Sequence, residues 1–237
     1  MSLKKKIAIL QSNYIPWKGY FDLINMVDEF IFYDNVQYTK NDWRNRNRIK
    51  TNQGVQWLTI PVRIESLSQT IMDTQVANSN WNRKHWTAIS NNYSKAKYFS
   101  DYKERFESLY MNLDVKLLCE INYKFIQEIC KLLGIKTKLS CSSSFNLIGE
   151  KTERLVNICK ELRASCYVTG PSAKNYLDES LFTLNGIKIE YIDYSNYPEY
   201  NQLHGAFVHE VSVIDLLFNE GPNALSYMKS FNTALKS

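Results

Sequence analysis

The sequence predicts an α/β fold on a parallel sheet, with a mainly helical insertion at about 70–135. Two observations in the first third carry this. IAIL (7–10) and EFIFY (29–33) are short apolar runs, the pattern of strands buried on both faces. Between them lie a polar turn and WKGYFDLINMV, where Phe21, Ile24 and Val27 fall at helical spacing from a start near Gly19. A β–loop–α–β unit places its two strands side by side and parallel. The third observation is that the second half alternates helix and strand again.

The elements follow in order. After EFIFY comes a basic stretch, TKNDWRNRNRIKTNQG (39–54), and then VQWLTIPV (55–62), a strand reaching Pro61. Residues 65–85 are polar and lack a clear period, and NSNWNRKHW (78–86) reads as a loop or a helix start. Residues 101–113 and 115–133 read as helices, the second with a stripe of Leu118, Ile121, Phe125, Ile126, Ile129 and Leu133 and a stop at Gly134. TKLSCS (137–142) is a strand, KTERLVNICKELRA a helix and CYVTG (166–170) a strand. A turn and a helix to about 185 follow, then the strand IKIEYID (187–193) and a last helix over 209–221. No linker, repeat or low-complexity tract divides residues 1–237, which points to one domain.

Composition narrows the function classes. The 237 residues are 44% hydrophobic and 22% charged, enough to bury a core and too apolar for a disordered chain. Sixteen tyrosines suit either a polar, ring-stacking pocket or a Tyr-rich core. A net charge of +5 favours an anionic partner but falls short of the basic stripe of a dedicated nucleic-acid binder. Five cysteines without CxxC pairing read as free thiols in a reducing cytoplasm, and those at 119, 130 and 159 fall inside helical patterns as small buried residues. The apolar run after the opening lysines is too short for a signal sequence, and no window approaches a membrane-spanning length.

Five stretches are candidate sites. In an open parallel sheet, ligands sit beyond the carboxyl ends of the strands. The turn QSNYIPWKGY therefore puts Gln11, Asn13 and the helix start at Gly19 where a phosphate would bind, with Gly19 letting a ligand approach the backbone, unless the turn merely redirects the chain. DNVQ (34–37) follows the second strand at the same edge, where Asp34 holds a ribose hydroxyl, a metal or a substrate amine and Gln37 reads a sugar or a base edge, or both are a solvated turn. In the basic stretch, Lys40, Arg44, Arg46, Arg48 and Lys50 are interleaved with asparagines. An extended segment would put Arg44, Arg46 and Arg48 on one face to grip an anion, and Trp43 offers a stacking surface; a solvated basic loop is the alternative. In NWNRKHW, His85 is either an acid–base group or a packed core histidine. In TGPSAKNYLDE (169–179), Ser172 and nearby N–H groups cradle an anion, with Lys174 adding charge, or Ser172 caps the helix. Three scattered histidines make a His-built zinc site a poor fit, and there is no P-loop, GxGxxG or nucleophile elbow.

The order QSNYIPWKGYFDLI, YDNVQYTKNDWRNRNRIK, WLTIPV, NWNRKHW, TERLVNICKELRA, TGPSAKNYLDE, HGAF and SVIDLLFNEG resembles the WbqC-like family of bacterial surface-polysaccharide gene clusters. The resemblance covers nearly the whole chain. It implies a pathway more than a reaction, and it makes site candidates of Gln11, Asn13, Pro16, Gly19, Tyr20, Asp34, Gln37, Lys40, Trp43, Asn45, Arg46, Asn47, Lys84, His85, Gly170, Ser172 and Tyr176. A second resemblance concerns the fold. Strand, Pro-x-x-Gly-Tyr-x-x-Leu-Ile, strand is similar to the Rossmann-like, nucleotidylyltransferase-type sheet of pantothenate synthetase and its relatives. Their His-x-Gly-His is absent, since Trp17, Lys18, Gly19 and Tyr20 stand there, so the histidines' phosphate-stabilising role does not carry over. PSAKNYL is similar to their Ser-Ser-Arg-Asn-x-Tyr-Leu loop, with Lys174 at the arginine position.

These readings lead to an enzyme of cell-surface polysaccharide synthesis that modifies an activated sugar. Its concrete form is acyl or aminoacyl transfer to a nucleotide-linked amino sugar. Arg44, Arg46, Arg48 and Lys174 would face phosphate, His85 (with Lys84 beside it) would take the amine proton, and Asp34 would orient the nucleophile. Arg46→Ala should then lower turnover more than stability. The rivals are a non-catalytic sugar-nucleotide or partner-binding protein and, third, RNA binding through the basic run. Donor, cofactor and oligomeric state have no signal in the sequence.

Overall fold

A computed structural model describes residues 4–77 and 80–231 of the chain. β1 (Lys6–Leu10) leads through α1 (Lys18–Asn25) to β2 (Glu29–Phe32), and a hairpin of β3 (Arg46–Thr51) and β4 (Gly54–Thr59) follows. Three helices come next: α2 (Trp81–Tyr93), α3 (Phe99–Met111) and α4 (Leu118–Leu132). The chain then runs β5 (Lys138–Cys141), α5 (Thr152–Glu161), β6 (Cys166–Thr169), α6 (Glu179–Leu184), β7 (Lys188–Tyr191) and α7 (Val213–Glu220).

The central sheet has the order β5-β2-β1-β6-β7, and each neighbouring pair is parallel. The register sets Ile7 against Glu29 and Leu10 against Phe32 on one side of β1, and Ile7 against Tyr167 on the other. Alternation along the central strands explains their unbroken apolar character. Ile7, Ile9 and Ile31 face α5 and α6, where Leu155, Ile158 and Phe182 cover them. Ala8, Phe30 and Phe32 face the opposite layer, with Phe21 and Ile24 of α1 and Phe125 and Ile126 of α4. Helices on both faces of a parallel sheet make this a Rossmann-like α/β fold. The chain leaves β1 toward β2 and β5, then returns to the far side of β1 for β6 and β7. The order therefore reverses between β1 and β6, which is where such sheets open a crevice at their carboxyl ends.

Several elements differ from the sequence reading. The basic stretch and VQWLTIPV form a single antiparallel hairpin in which Arg48 stands opposite Trp57. α2 is a full helix where only a loop or helix start was legible. Its buried stripe is Trp81, His85, Trp86, Ile89 and Tyr93, a helical spacing built from rings rather than aliphatic residues. Residues 78 and 79 of that expectation lie outside the described residues. α4 begins at Leu118 rather than 115, and α7 begins at Val213 rather than 209, with Ser212 Oγ accepting from the Ile214 N–H. The helix expected to run to 185 is split into a 3₁₀ turn over Pro171–Asn175 and the short α6. The cap of α6 is Asp178, which accepts from the Ser180 N–H at 3.0 Å, so Ser172 is not the cap. Cys130 and Cys159 are buried in helices as expected, and Cys119 is half-buried. Among the described residues no helix is long and apolar enough to cross a membrane, and no His, Cys, Asp and Glu group could hold a metal ion.

Candidate functional site

The loop after β1 is locked onto the hairpin. The Tyr14 N–H donates to the Trp43 carbonyl at 3.0 Å. Asn47 Nδ2 donates to two consecutive carbonyls, Tyr14 at 3.1 Å and Ile15 at 2.9 Å, while its Oδ1 accepts from the Arg48 N–H at 2.7 Å. Ile15 sits at φ 35°, a left-handed conformation that a β-branched residue adopts only under constraint. Asn47 supplies that constraint. The start of α7 joins the same assembly, since the Ser212 N–H donates to Arg48 O and the Val213 N–H to Pro16 O.

Asp34 and Asn122 support the loop from beneath. Asp34 Oδ1 accepts from the Ser12 N–H at 2.8 Å. Burial pushes the Asp34 carboxyl pKa up, with the Ser12 hydrogen bonds and the Arg44 charge opposing it. Asn122, fully buried on α4, donates to Ser12 Oγ and to the Arg44 carbonyl.

Arg44 Nη2 donates to Gln11 Oε1 at 2.8 Å and its Nη1 to Asn13 Oδ1, and Nη2 also lies 3.5 Å from Asp42 Oδ2. Gln11 lines a cavity of about 680 Å³ and Asn13 lines another of about 170 Å³, so Arg44 lines neither cavity but ties together one wall residue of each. The larger cavity lies over the carboxyl ends of the strands: Leu10 at the end of β1 and Gln11 after it, Tyr33 and Val36 after β2, and Asn175 and Tyr176 after β6. Lys151, Thr152 and Arg154 at the start of α5 close it. No side chain caps that helix start, and Lys151 holds φ 38°. Lys151 and Arg154 give this wall positive charge at the positive end of the helix dipole; in the same turn stands Glu153, whose N–H donates to the Glu150 carbonyl, and Arg154 Nε donates to Gly149 O. The smaller cavity is walled by Pro16, Trp17, Trp43, Asn47, Asn13 and Glu210.

The remaining basic residues part company. Arg46 and Arg48 share one face of β3, as their spacing implied, but Arg44 precedes the strand and turns toward β1, so the three guanidiniums do not line up. Arg46 lies 4.2 Å from the Trp57 ring centroid and donates to the Asn41 carbonyl. Arg48 donates to Glu210 O at 2.8 Å and lies 5.6 Å from the Trp43 ring. Lys50 is buried against the Ala206 carbonyl, and Lys40 is exposed.

His85 takes the second of its two readings, a packed core histidine. It lines neither cavity, and its ring packs against Tyr14 and Trp81, the latter in contact with Tyr110 of α3. The Thr59 carbonyl, 3.2 Å from Nε2, can only accept, which puts the proton on Nε2. Nδ1 then accepts from the Tyr14 hydroxyl at 2.9 Å, and Tyr110 donates to Tyr14 at 2.6 Å. Both nitrogens are committed. Burial lowers the His85 pKa from 6.5 to about 4, so the ring is neutral and its lone pair is engaged. The sign for stability follows. Between 6.5 and about 4 the unfolded chain takes up a proton that the folded chain refuses, so stability falls as pH falls through that window, by roughly 3 kcal/mol in all. Urea unfolding followed from neutral pH downward should show this loss, and His85→Gln should remove it. Equal slopes in both proteins would mean the ring is not held neutral.

Other expected site residues take structural positions. A Cβ on Gly19 would meet the Trp17 ring at 2.3 Å, so the glycine admits an indole rather than a ligand. Tyr20 is buried and donates to the Gln11 carbonyl at 3.0 Å. Asn45 is buried, with Nδ2 donating to Ile60 O at 2.8 Å. Gln37 is exposed and donates to Leu67 O. Lys84 stands exposed on the outer face of α2. A Cβ on Gly170 would meet Tyr194 at an ordinary contact distance, Ser172 is exposed, and Lys174 lies 4.8 Å from the Tyr191 ring; none of the three lines either cavity. The sequence reading missed Trp17, Lys151, Thr152, Arg154 and Glu210. GEKTER, which follows the β5 strand and opens a helix, carried the same strand-end signal as the first turn.

Comparison with known proteins places the chain. The model of the WbqC-like protein family matches residues 11–227. A protein of Mycobacterium tuberculosis (strain ATCC 25618 / H37Rv), named Uncharacterized protein Rv1507c, is 47% identical over 226 residues, covering 95% of this chain and 98% of that protein. No solved structure matches with significance.

Proposed function

The chain belongs to the WbqC-like protein family, and from that premise we propose that it binds a sugar nucleotide at the carboxyl edge of its sheet and transfers a group to the sugar. Family membership suggests a role tied to polysaccharide biosynthesis, whose building blocks are sugars activated as diphosphate esters. The observation that carries the reading is the larger cavity. It lies at the β1/β6 reversal, its volume of about 680 Å³ falls within the range of roughly 300–1,000 Å³ usual for small-molecule sites, and an uncapped helix start with Lys151 and Arg154 forms one wall. Phosphates against α5 would gain charge-assisted hydrogen bonds from the Arg154 Nη groups and the Lys151 ammonium.

The concrete form of the transfer remains acylation or aminoacylation of an amino sugar. The amine nitrogen attacks the acyl carbon, the C–N bond forms, the donor's leaving group departs, and the amine proton passes to a base. His85 does not fit that role, because it is buried and doubly bonded. Glu210 is the carboxylate among the residues lining the two cavities and would take the proton. A non-catalytic sugar-nucleotide-binding protein is the second reading, favoured by the burial of both His85 and Asp34.

Isothermal titration with UDP, dTDP and their sugar conjugates tests the binding. Mass spectrometry of the same mixtures after addition of acyl donors and ATP tests the transfer. Binding that weakens about tenfold in Arg154→Ala and is unaffected in Arg46→Ala is the expected result. Binding without a mass change selects the second reading, and no binding to wild type overturns both.

A further inference from the structure

We infer that the smaller cavity, walled by Trp17, Trp43, Asn13 and Glu210, is a subsite for one saturated sugar ring, joined past Arg44 to the phosphate-binding cavity. This rests on the sugar-nucleotide reading above and adds where the sugar sits.

Size is the first ground. At about 170 Å³ the cavity is below the roughly 300–1,000 Å³ usual for whole small-molecule ligands, so it can take no more than one ring of a ligand, whereas the larger one, at about 680 Å³, can hold a nucleotide. The walls are the second. A pyranose has C–H-rich faces and a polar rim, and indoles offer flat apolar surfaces that match those faces. Trp43 is 38% exposed and packs 5.4 Å from Trp57, which is 42% exposed, with Arg46 and Arg48 set against the pair. Trp57 does not line the cavity; it and Arg48 hold the Trp43 indole, which does, in place.

The polar groups are the third ground. Glu210, beside Arg48 at 3.5 Å, accepts from sugar hydroxyls. Asn13 has its Oδ1 occupied by Arg44, which leaves Nδ2 to donate. Asn47 contributes no ligand contact, because Nδ2 is spent on Tyr14 and Ile15 and Oδ1 on the Arg48 N–H. Arg44 is the fourth ground. It grips Gln11 on one side and Asn13 on the other, so the ester linkage between nucleotide and sugar would cross a guanidinium.

The test compares affinities for UDP, UDP-glucose, UDP-N-acetylglucosamine, dTDP and dTDP-glucose in wild type, Trp43→Ala and Glu210→Gln, with near-ultraviolet circular dichroism and thermal melting as checks of folding. At least one sugar conjugate should bind wild type about tenfold more tightly than its parent diphosphate. Both variants should lose that advantage while keeping the diphosphate affinity. An advantage that survives in Trp43→Ala, or is absent in wild type, overturns the subsite and leaves the larger cavity's reading standing. If no diphosphate binds, the larger cavity's reading fails. Saturation-transfer NMR with methyl hexopyranosides then decides the subsite alone: signals in wild type that vanish in Trp43→Ala uphold it, and no signal overturns it.

Discussion

Arg44→Ala should weaken binding of a sugar nucleotide about ten- to a hundredfold while costing only about 1 kcal/mol of stability. The reasoning starts from the partners. Arg44 donates to two side-chain carbonyls, Gln11 Oε1 and Asn13 Oδ1, and both belong to cavity walls where water can replace the lost bonds. Truncation therefore leaves no buried group orphaned on that side, and the stability loss is small. Binding is another matter. Arg44 sets the positions of the wall residues Gln11 and Asn13, so its loss acts on binding through them and through the positive charge removed from beside the cavities. Arg44→Lys restores the charge but not the fork that spans both residues, so it should recover only part of the affinity. Titration calorimetry reads the first effect and urea unfolding the second. An Arg44→Ala protein that binds as wild type would remove the guanidinium from the site.

Asn47→Ala should cost about 3 kcal/mol of stability and abolish ligand binding with it. Three hydrogen bonds are lost, and the Tyr14 and Ile15 carbonyls face the buried position Asn47 vacates. Unpaired buried carbonyls cost roughly 1–3 kcal/mol each before relaxation. Ile15 would also lose the contacts that hold it at φ 35°. Asn47→Asp is a sharper probe. It keeps the shape and the bond to the Arg48 N–H, yet it turns the Nδ2 donor into an acceptor facing two acceptors, so it should destabilise at least as much as the alanine. An aspartate variant near wild-type stability would show that the amide does not clamp the loop.

These two residues show what the sequence made legible and what it did not. The parallel sheet could be read because β1 and β2 are buried on both faces and so are apolar without interruption, and the strand ends pointed to Gln11 and Asn13 as cleft residues. The basic stretch pointed to the right segment, but side-chain roles there depend on a pairing that periodicity cannot show. Once β3 pairs with β4, alternation sends Asn47 inward as a clamp and Arg46 and Arg48 outward onto Trp57, and Arg44 escapes the strand altogether. His85 illustrates the same limit. An aromatic stripe on α2 looks polar in a sequence scan, because histidine and tryptophan do not mark a core as leucine does, and the ring ended in a buried relay of hydroxyls. Beyond their place after a strand, Lys151 and Arg154 carry little signal in the sequence, because two cations at a helix start resemble the ordinary charges of a solvated helix face.

The most direct measurement is a crystal structure of the protein soaked with a UDP- or dTDP-sugar. The account expects the diphosphate at the start of α5, within hydrogen-bond reach of Arg154, in the crevice between the ends of β1 and β6. A ligand bound on the outer face of the hairpin with that crevice empty would contradict it.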